Sequence, residues 1–203
     1  MEPGTLSEMQ IDALREVGSI GAGHAATALS QLAGTAVDIE VPVARLLPVT
    51  EVPGVFGGPE NLVGAVYGRL LGELRGALLF ILPRADLLAL ADVLRSREPG
   101  TAKSLGADEE ALVVHAAGVL QAAYAAAIGR FTGLSALPAT PEFAFDMVGA
   151  ILEAISSGVS LKAETAILIT TKFRTEGADI DAALFFLLDP ESLDVVLGHL
   201  GMV

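Results

Sequence analysis

From Met9 to Leu32 the apolar and small residues recur every three or four positions. Ile11, Leu14, Gly18, Gly21, Ala22, Ala25, Leu29 and Leu32 fall on one side of a helix at about 100° per residue. Asp12, Glu16, Ser19 and Gly23 occupy the opposite side, with Glu16 and Ser19 three apart and therefore neighbours on that surface. Thr5 to Glu8 has the capping-box pattern that opens a helix, and Gly34 is a natural stop. A second stripe, Val113, Ala117, Leu120, Tyr124, Ile128 and Phe131, predicts another long helix. Its opposite face, Ala111, His115, Gly118 and Ala122, is much blander. Asp108 is the expected cap of this helix and Gly133 its end.

The two stripes belong to a larger repetition. Asp12–Leu32 aligns without gaps onto Ala111–Phe131, and in that register Gly34 falls on Gly133 and Pro42 on Pro141. Later in each half, the apolar run Gly76–Pro83 matches Ala182–Asp189, and both lead into leucine-rich segments. The expected order in each half is a long helix, a strand around the proline, a hairpin and a short closing helix. The hairpins are expected as Leu62–Leu71 with Arg75–Leu82, and Ala166–Arg174 with Ile180–Leu188. Asp189-Pro190-Glu191 predicts the last helix start. Val148–Ser157 predicts an extra helix where the first half has the proline- and glycine-rich stretch Leu47–Pro59. The fold class expected is α/β, of α+β type, with two pseudo-symmetric halves whose long helices pack on a largely antiparallel sheet. One domain would span 1–203, its halves covering about 5–97 and about 102–203 around a joint at Glu98–Thr101.

Composition narrows the partners. The net charge of −13 opposes binding to nucleic acid or anionic lipid and favours a basic or amphiphilic protein partner. Cysteine is absent, which argues against a disulfide scaffold and is neutral for a reducing cytosol. The mean hydropathy of +0.60 is high, but no run is expected to reach the about 18–20 uncharged apolar residues of a membrane span. The first residues lack the pattern of a signal peptide, so a cytoplasmic location without membrane insertion is expected.

The spacing Asp12, Glu16, position 19 and Pro42 resembles the signature of the CheC/CheX/FliY group of chemotaxis proteins. That signature is Asp or Ser, three residues, Glu, two residues, Asn, then 22 residues to Pro. The words around Glu16–Ser30 resemble the family's helix, and Ala111, His115, Gly118 and Pro141 repeat the spacing. The resemblance implies a CheC-like protein that binds a phosphorylated CheY-type response regulator and accelerates hydrolysis of its aspartyl-phosphate. It implies that an amide orients the attacking water, that the Glu engages the partner's lysine, and that Mg²⁺ belongs to the partner, leaving no cofactor in this chain. A CheD-type receptor deamidase is a further implied partner. The sequence departs from the pattern at Ser19, which replaces Asn, and at His115 and Gly118 in the second copy. A hydroxyl is shorter than an amide and offers one oxygen in place of an oxygen and a nitrogen. The expectation is therefore a weak first site built on Glu16 and Ser19 and an inactive second one at His115 and Gly118. The alternative is a binding or regulatory protein on the same scaffold that has lost catalysis.

Two other chemistries can be set against this. Gly21-Ala-Gly23-His-Ala-Ala26 fits the dinucleotide fingerprint, with Val17–Ile20 as a possible strand before it and Asp38 and Glu40 downstream. That would make the protein an NAD(P)-binding oxidoreductase. A Ser-His-Asp arrangement using Ser19 and His115 would require the two helix faces to meet. The three histidines, His24, His115 and His199, lie far apart and lack metal-ligand spacing.

Overall fold

The computed structural model describes residues 8–40, 43–158 and 163–199. Helix α1 runs unbroken over Glu8–Ala33. Its predicted stripe faces inward, with Leu14, Ala22, Ala25 and Leu29 buried; Val17, outside that stripe, is buried as well, and Gly34 ends the helix at φ +66°. Thr5 to Ser7 of the expected capping box lie outside the described residues. Two strands follow, β1 (Asp38–Ile39) and β2 (Val43–Pro48), then a 3-10 turn at Val49–Glu51 and a single helical turn, α2 (Val52–Val55). The first hairpin is β3 (Leu62–Gly72) with β4 (Gly76–Pro83), and α3 (Arg84–Leu94) closes the half. The same order returns in α4 (Ala107–Thr132), β5 (Ala136–Pro138), β6 (Glu142–Met147), α5 (Val148–Gly158), β7 (Thr165–Arg174), β8 (Asp179–Leu188) and α6 (Pro190–His199). Helices α1 and α4 each have 26 residues and pack against one another.

The sheet runs β1-β7-β8-β4-β3-β5, with β2 also on β7 and β6 also on β3. Every pairing among the described residues is antiparallel. The hairpins meet in the middle, where Leu79 pairs with Phe185. The short strands cross over. In the first half β2 pairs with β7 of the second, Val43 opposite Thr170, while β6 pairs back onto β3, Phe145 opposite Gly64. Each half therefore completes its hairpin with a strand from the other.

Both faces of the sheet are covered. Leu78, Phe80, Leu82, Ile169 and Phe186 point to the side of α1, α3 and α4. Leu79, Ile81, Leu168 and Phe185 point to the side where Val148, Ile151 and Ile155 of α5 and Val52 of α2 pack. Two-sided burial explains why β4 and β8 read as continuous apolar runs and do not alternate.

Two expectations are corrected. The cap of α4 is Gly106, not Asp108: the Glu109 carboxylate accepts the Gly106 N–H at 3.1 Å, and Asp108 lies in the first turn, paired with Arg95 at 3.2 Å. Helix α4 is also long and apolar enough, by length and composition, to cross a membrane, contrary to the sequence reading. Half of that apolar window is buried, because its inner stripe forms the core against the sheet. Helix α5 packs on the opposite side of the sheet from α4.

Candidate functional site

The outer face of α1 carries the first constellation. Leu14, Val17, Ala22 and Ala25 anchor the inner side of the helix, so residues between them on the wheel are held outward. Asp12 and Glu16 are exposed, Ser19 is half-buried, and Gly23 and His24 are exposed. Asp12 is engaged locally, its Oδ1 3.1 Å from Arg15 Nη1. Glu16 and Ser19 stand one turn apart, about 4.5 Å along the axis. Ile20 adds an apolar side chain that is 37% exposed beside them, a feature the wheel did not single out. Pro42, the last residue of the signature, lies outside the described residues.

On α4 the aligned positions form a groove of ≈ 670 Å³ with the β5–β6 connection, lined by Ala111, His115, Gly118, Ala122, Pro138 and Pro141. His115 is exposed and Gly118 half-buried. A Cβ on Gly118 would stand 3.4 Å from Pro141 Cγ, so the signature proline packs directly on the position aligned with Ser19. Beneath the groove Gln121 is fully buried, donating from Nε2 to Val66 O at 2.9 Å and Leu78 O at 3.3 Å. Its Oε1 has no partner, and Gly68 makes room for it. Sequence reading passed over Gln121; a polar residue one position past Leu120, inside an apolar stripe, was the available signal. The α4 face thus has no carboxylate or amide directed outward at the signature positions.

Helix α1 is continuous through Val17–Ala26, which removes the dinucleotide reading: Val17–Ile20 is helix, not strand, and the backbone makes no turn at Gly21–Gly23. Gly21 has a packing reason instead. A Cβ there would lie 2.6 Å from Tyr124 Cδ1, so the bare position seats the Tyr124 ring of α4. Burial pushes the Tyr124 phenol up to about 12, with Thr171 pulling the other way, although neither Tyr124 Oη nor Thr171 Oγ1 completes a hydrogen bond. Ser19 does not line the groove that holds His115, so the two do not form a catalytic pair. His199 Nδ1 lies 2.8 Å from Val195 O, a local contact within α6. Among the described residues, no group of three or more His, Cys, Asp or Glu side chains gathers as a metal site.

A single antiparallel sheet bearing two matched long helices has counterparts among solved structures. Thermotoga maritima FliY superposes with a TM-score of 0.76 at 16% identity, covering 97% of this chain and 98% of that one. The Helicobacter pylori FliM middle domain (H. pylori) gives 0.67 at 11% identity over 96% and 99%. At such identities the likeness concerns the fold alone. Sequence carries the rest: the CheC-like family profile matches residues 9–45, the segment that holds Asp12, Glu16 and Ser19. The CheY-P phosphatase CheC of Bacillus subtilis is 33% identical over 200 residues, covering 97% of this chain and 96% of its own length. This chain belongs to the CheC-like family.

Proposed function

We propose that this protein binds the phosphorylated form of a CheY-type response regulator and promotes hydrolysis of its aspartyl-phosphate, with Glu16 and Ser19 as the acting pair. The observation that carries this reading is the outward placement of a carboxylate and a hydroxyl one turn apart on a helix anchored in the core. The kinship with a CheY-P phosphatase over nearly the whole chain supports it. In the reaction a water oxygen attacks phosphorus, the bond from phosphorus to the acyl oxygen breaks, and inorganic phosphate leaves a free aspartate on the regulator. Such transfer is accelerated chiefly by positioning and charge stabilisation. Ser19 orients the water through its hydroxyl, Glu16 holds a cationic side chain of the partner, and the Mg²⁺ is the partner's own. The protein works in the cytoplasm, where the regulator is phosphorylated.

The serine makes this a slow phosphatase. Misplacing an orienting group by about an ångström commonly costs ~10²-fold. A second reading, a regulatory binding protein without catalysis, draws support from the same half-buried Ser19 and from the bland His115–Gly118 face; a CheD-type deamidase is then a candidate partner. Phosphate release from a phosphorylated response regulator, with and without the protein, decides between them. Acceleration that Glu16→Ala abolishes and Ser19→Asn increases is the expected result. No acceleration at saturating protein refutes the hydrolytic role and leaves the binding one to a pull-down.

A further inference from the structure

Among the described residues, nothing within the fold requires Gly23 to be glycine. It sits inside α1 with helical backbone, is exposed, and a Cβ built on it would meet nothing within 4 Å. Gly54 in the short α2 also meets nothing within 4 Å, but three other glycines of the two long helices differ. Gly21 faces the Tyr124 ring, Gly129 faces Leu134 O at 2.8 Å, and Gly118 faces Pro141. Glycine in a helix interior is disfavoured relative to alanine because it loses more backbone freedom on folding. A helix that bears this disadvantage where none of the described residues requires it leaves the space for something outside.

The position points to what that is. Seven residues after Glu16, Gly23 lies about 20° from it around the helix and about 10 Å along the axis, with Ser19 between them. Ile20, on the same face, offers an apolar flank. On α4 the position aligned with Gly23 is Ala122, so the gap is particular to the face that keeps the carboxylate. We propose that Gly23 is a specificity-determining contact: the main chain of the phosphorylated receiver crosses α1 there, close enough that a side chain would hold it off and lift its phosphoryl group away from Ser19. This rests on the reading of α1 as the receiver-binding face.

The test is a titration of a CheY-type receiver carrying beryllofluoride on its acceptor aspartate against wild type, Gly23→Ala, Gly23→Leu and the control Ala126→Leu, an exposed site on α4. Melting temperatures are recorded alongside. Gly23→Leu is expected to bind roughly tenfold more weakly or worse, Gly23→Ala to fall between, and Ala126→Leu to match wild type. The melting temperature of Gly23→Ala should not fall, which separates lost contact from lost fold; should Leu lower it, the alanine variant decides by the same criterion. Wild-type affinity in both Gly23 variants overturns the proposal while leaving Glu16 and Ser19 in place. Absence of binding by wild type itself removes the receiver reading, and this inference with it.

Discussion

Replacing Gly21 by alanine sets two opposed effects against each other at one atom. The methyl group favours the helix by about 1 kcal/mol, because alanine gives up less backbone freedom than glycine. It would also be placed 2.6 Å from Tyr124 Cδ1 and 2.9 Å from Cγ and Cε1, well inside contact distance. The ring cannot swing away, since Tyr124 is 1% exposed and wedged between α1 and the sheet. Overpacking of this kind costs about 1–3 kcal/mol, so the net change should run from about zero to a loss of about 2 kcal/mol. Gly23→Ala, two residues on, carries the same helix benefit and no clash, and should raise stability by about 1 kcal/mol. The difference between the two variants isolates the steric cost, because the propensity cancels. For a chain of this size each kcal/mol is worth about 2–4 °C in Tm. Thermal and urea unfolding of both variants measure it, and repeating Gly21→Ala in a Tyr124→Leu background should recover most of the loss. If Gly21→Ala stabilises the protein as much as Gly23→Ala does, Tyr124 is not seated on Gly21 and the α1–α4 packing described above is wrong.

Asp92 is fully buried and accepts the Ala102 N–H through both carboxylate oxygens, at 3.2 and 2.9 Å, while pairing with Arg97 at 3.1 Å. Asp92→Ala should cost about 1.5–3 kcal/mol by removing charge-assisted hydrogen bonds to the half-buried Ala102 N–H, with faster hydrogen exchange at Ala102 as the local readout. Tyr124→Phe removes a buried hydroxyl that has no completed partner, so unfolding should find it neutral or up to about 1 kcal/mol more stable. Glu73 ties the β3–β4 turn to the start of β5, accepting the Ser135 N–H and hydroxyl, and these bonds hold its carboxyl below the usual range. Its stabilisation is present above the unfolded value of about 4.3 and is lost as pH falls through the lower folded one. Glu73→Gln should therefore flatten that acid limb of the stability curve; an unchanged limb would place the titration elsewhere. Asp86 should act in the opposite sense, since burial raises it despite the Asp181 N–H at 3.0 Å. Its contribution is complete below the unfolded value and fades as pH rises through the folded one, which Asp86→Asn should remove.

Much of the site was legible because helix periodicity is local. The spacing of Leu14, Ala22, Ala25 and Leu29 alone directs one side of α1 inward, and Glu16 and Ser19 must then face out. The stops at Gly34 and Gly133 were equally legible, since both take the left-handed backbone that glycine tolerates. Asp108 misled because several residues before an apolar stripe can serve as a cap, and the one used depends on where the preceding loop arrives. Gly21 and Gly23 admitted a rival reading because a pair of glycines looks the same whether it cradles phosphate, seats a ring or leaves a gap. Only the arrival of Tyr124, from a residue about a hundred positions away, distinguishes the first glycine from the second.

The sequence by itself thus determined the element types, the inward and outward faces of both long helices, and the unequal chemistry of the two signature faces. These follow from residue spacing and side-chain identity within a single element. Tertiary structure alone decided that β2 joins β7 and β6 joins β3, that α5 covers the far side of the sheet, and that Pro141 lies against Gly118. Those outcomes depend on pairings such as Val43 with Thr170. Backbone hydrogen bonds carry no residue code, so which strands meet is settled by how the whole chain closes its core.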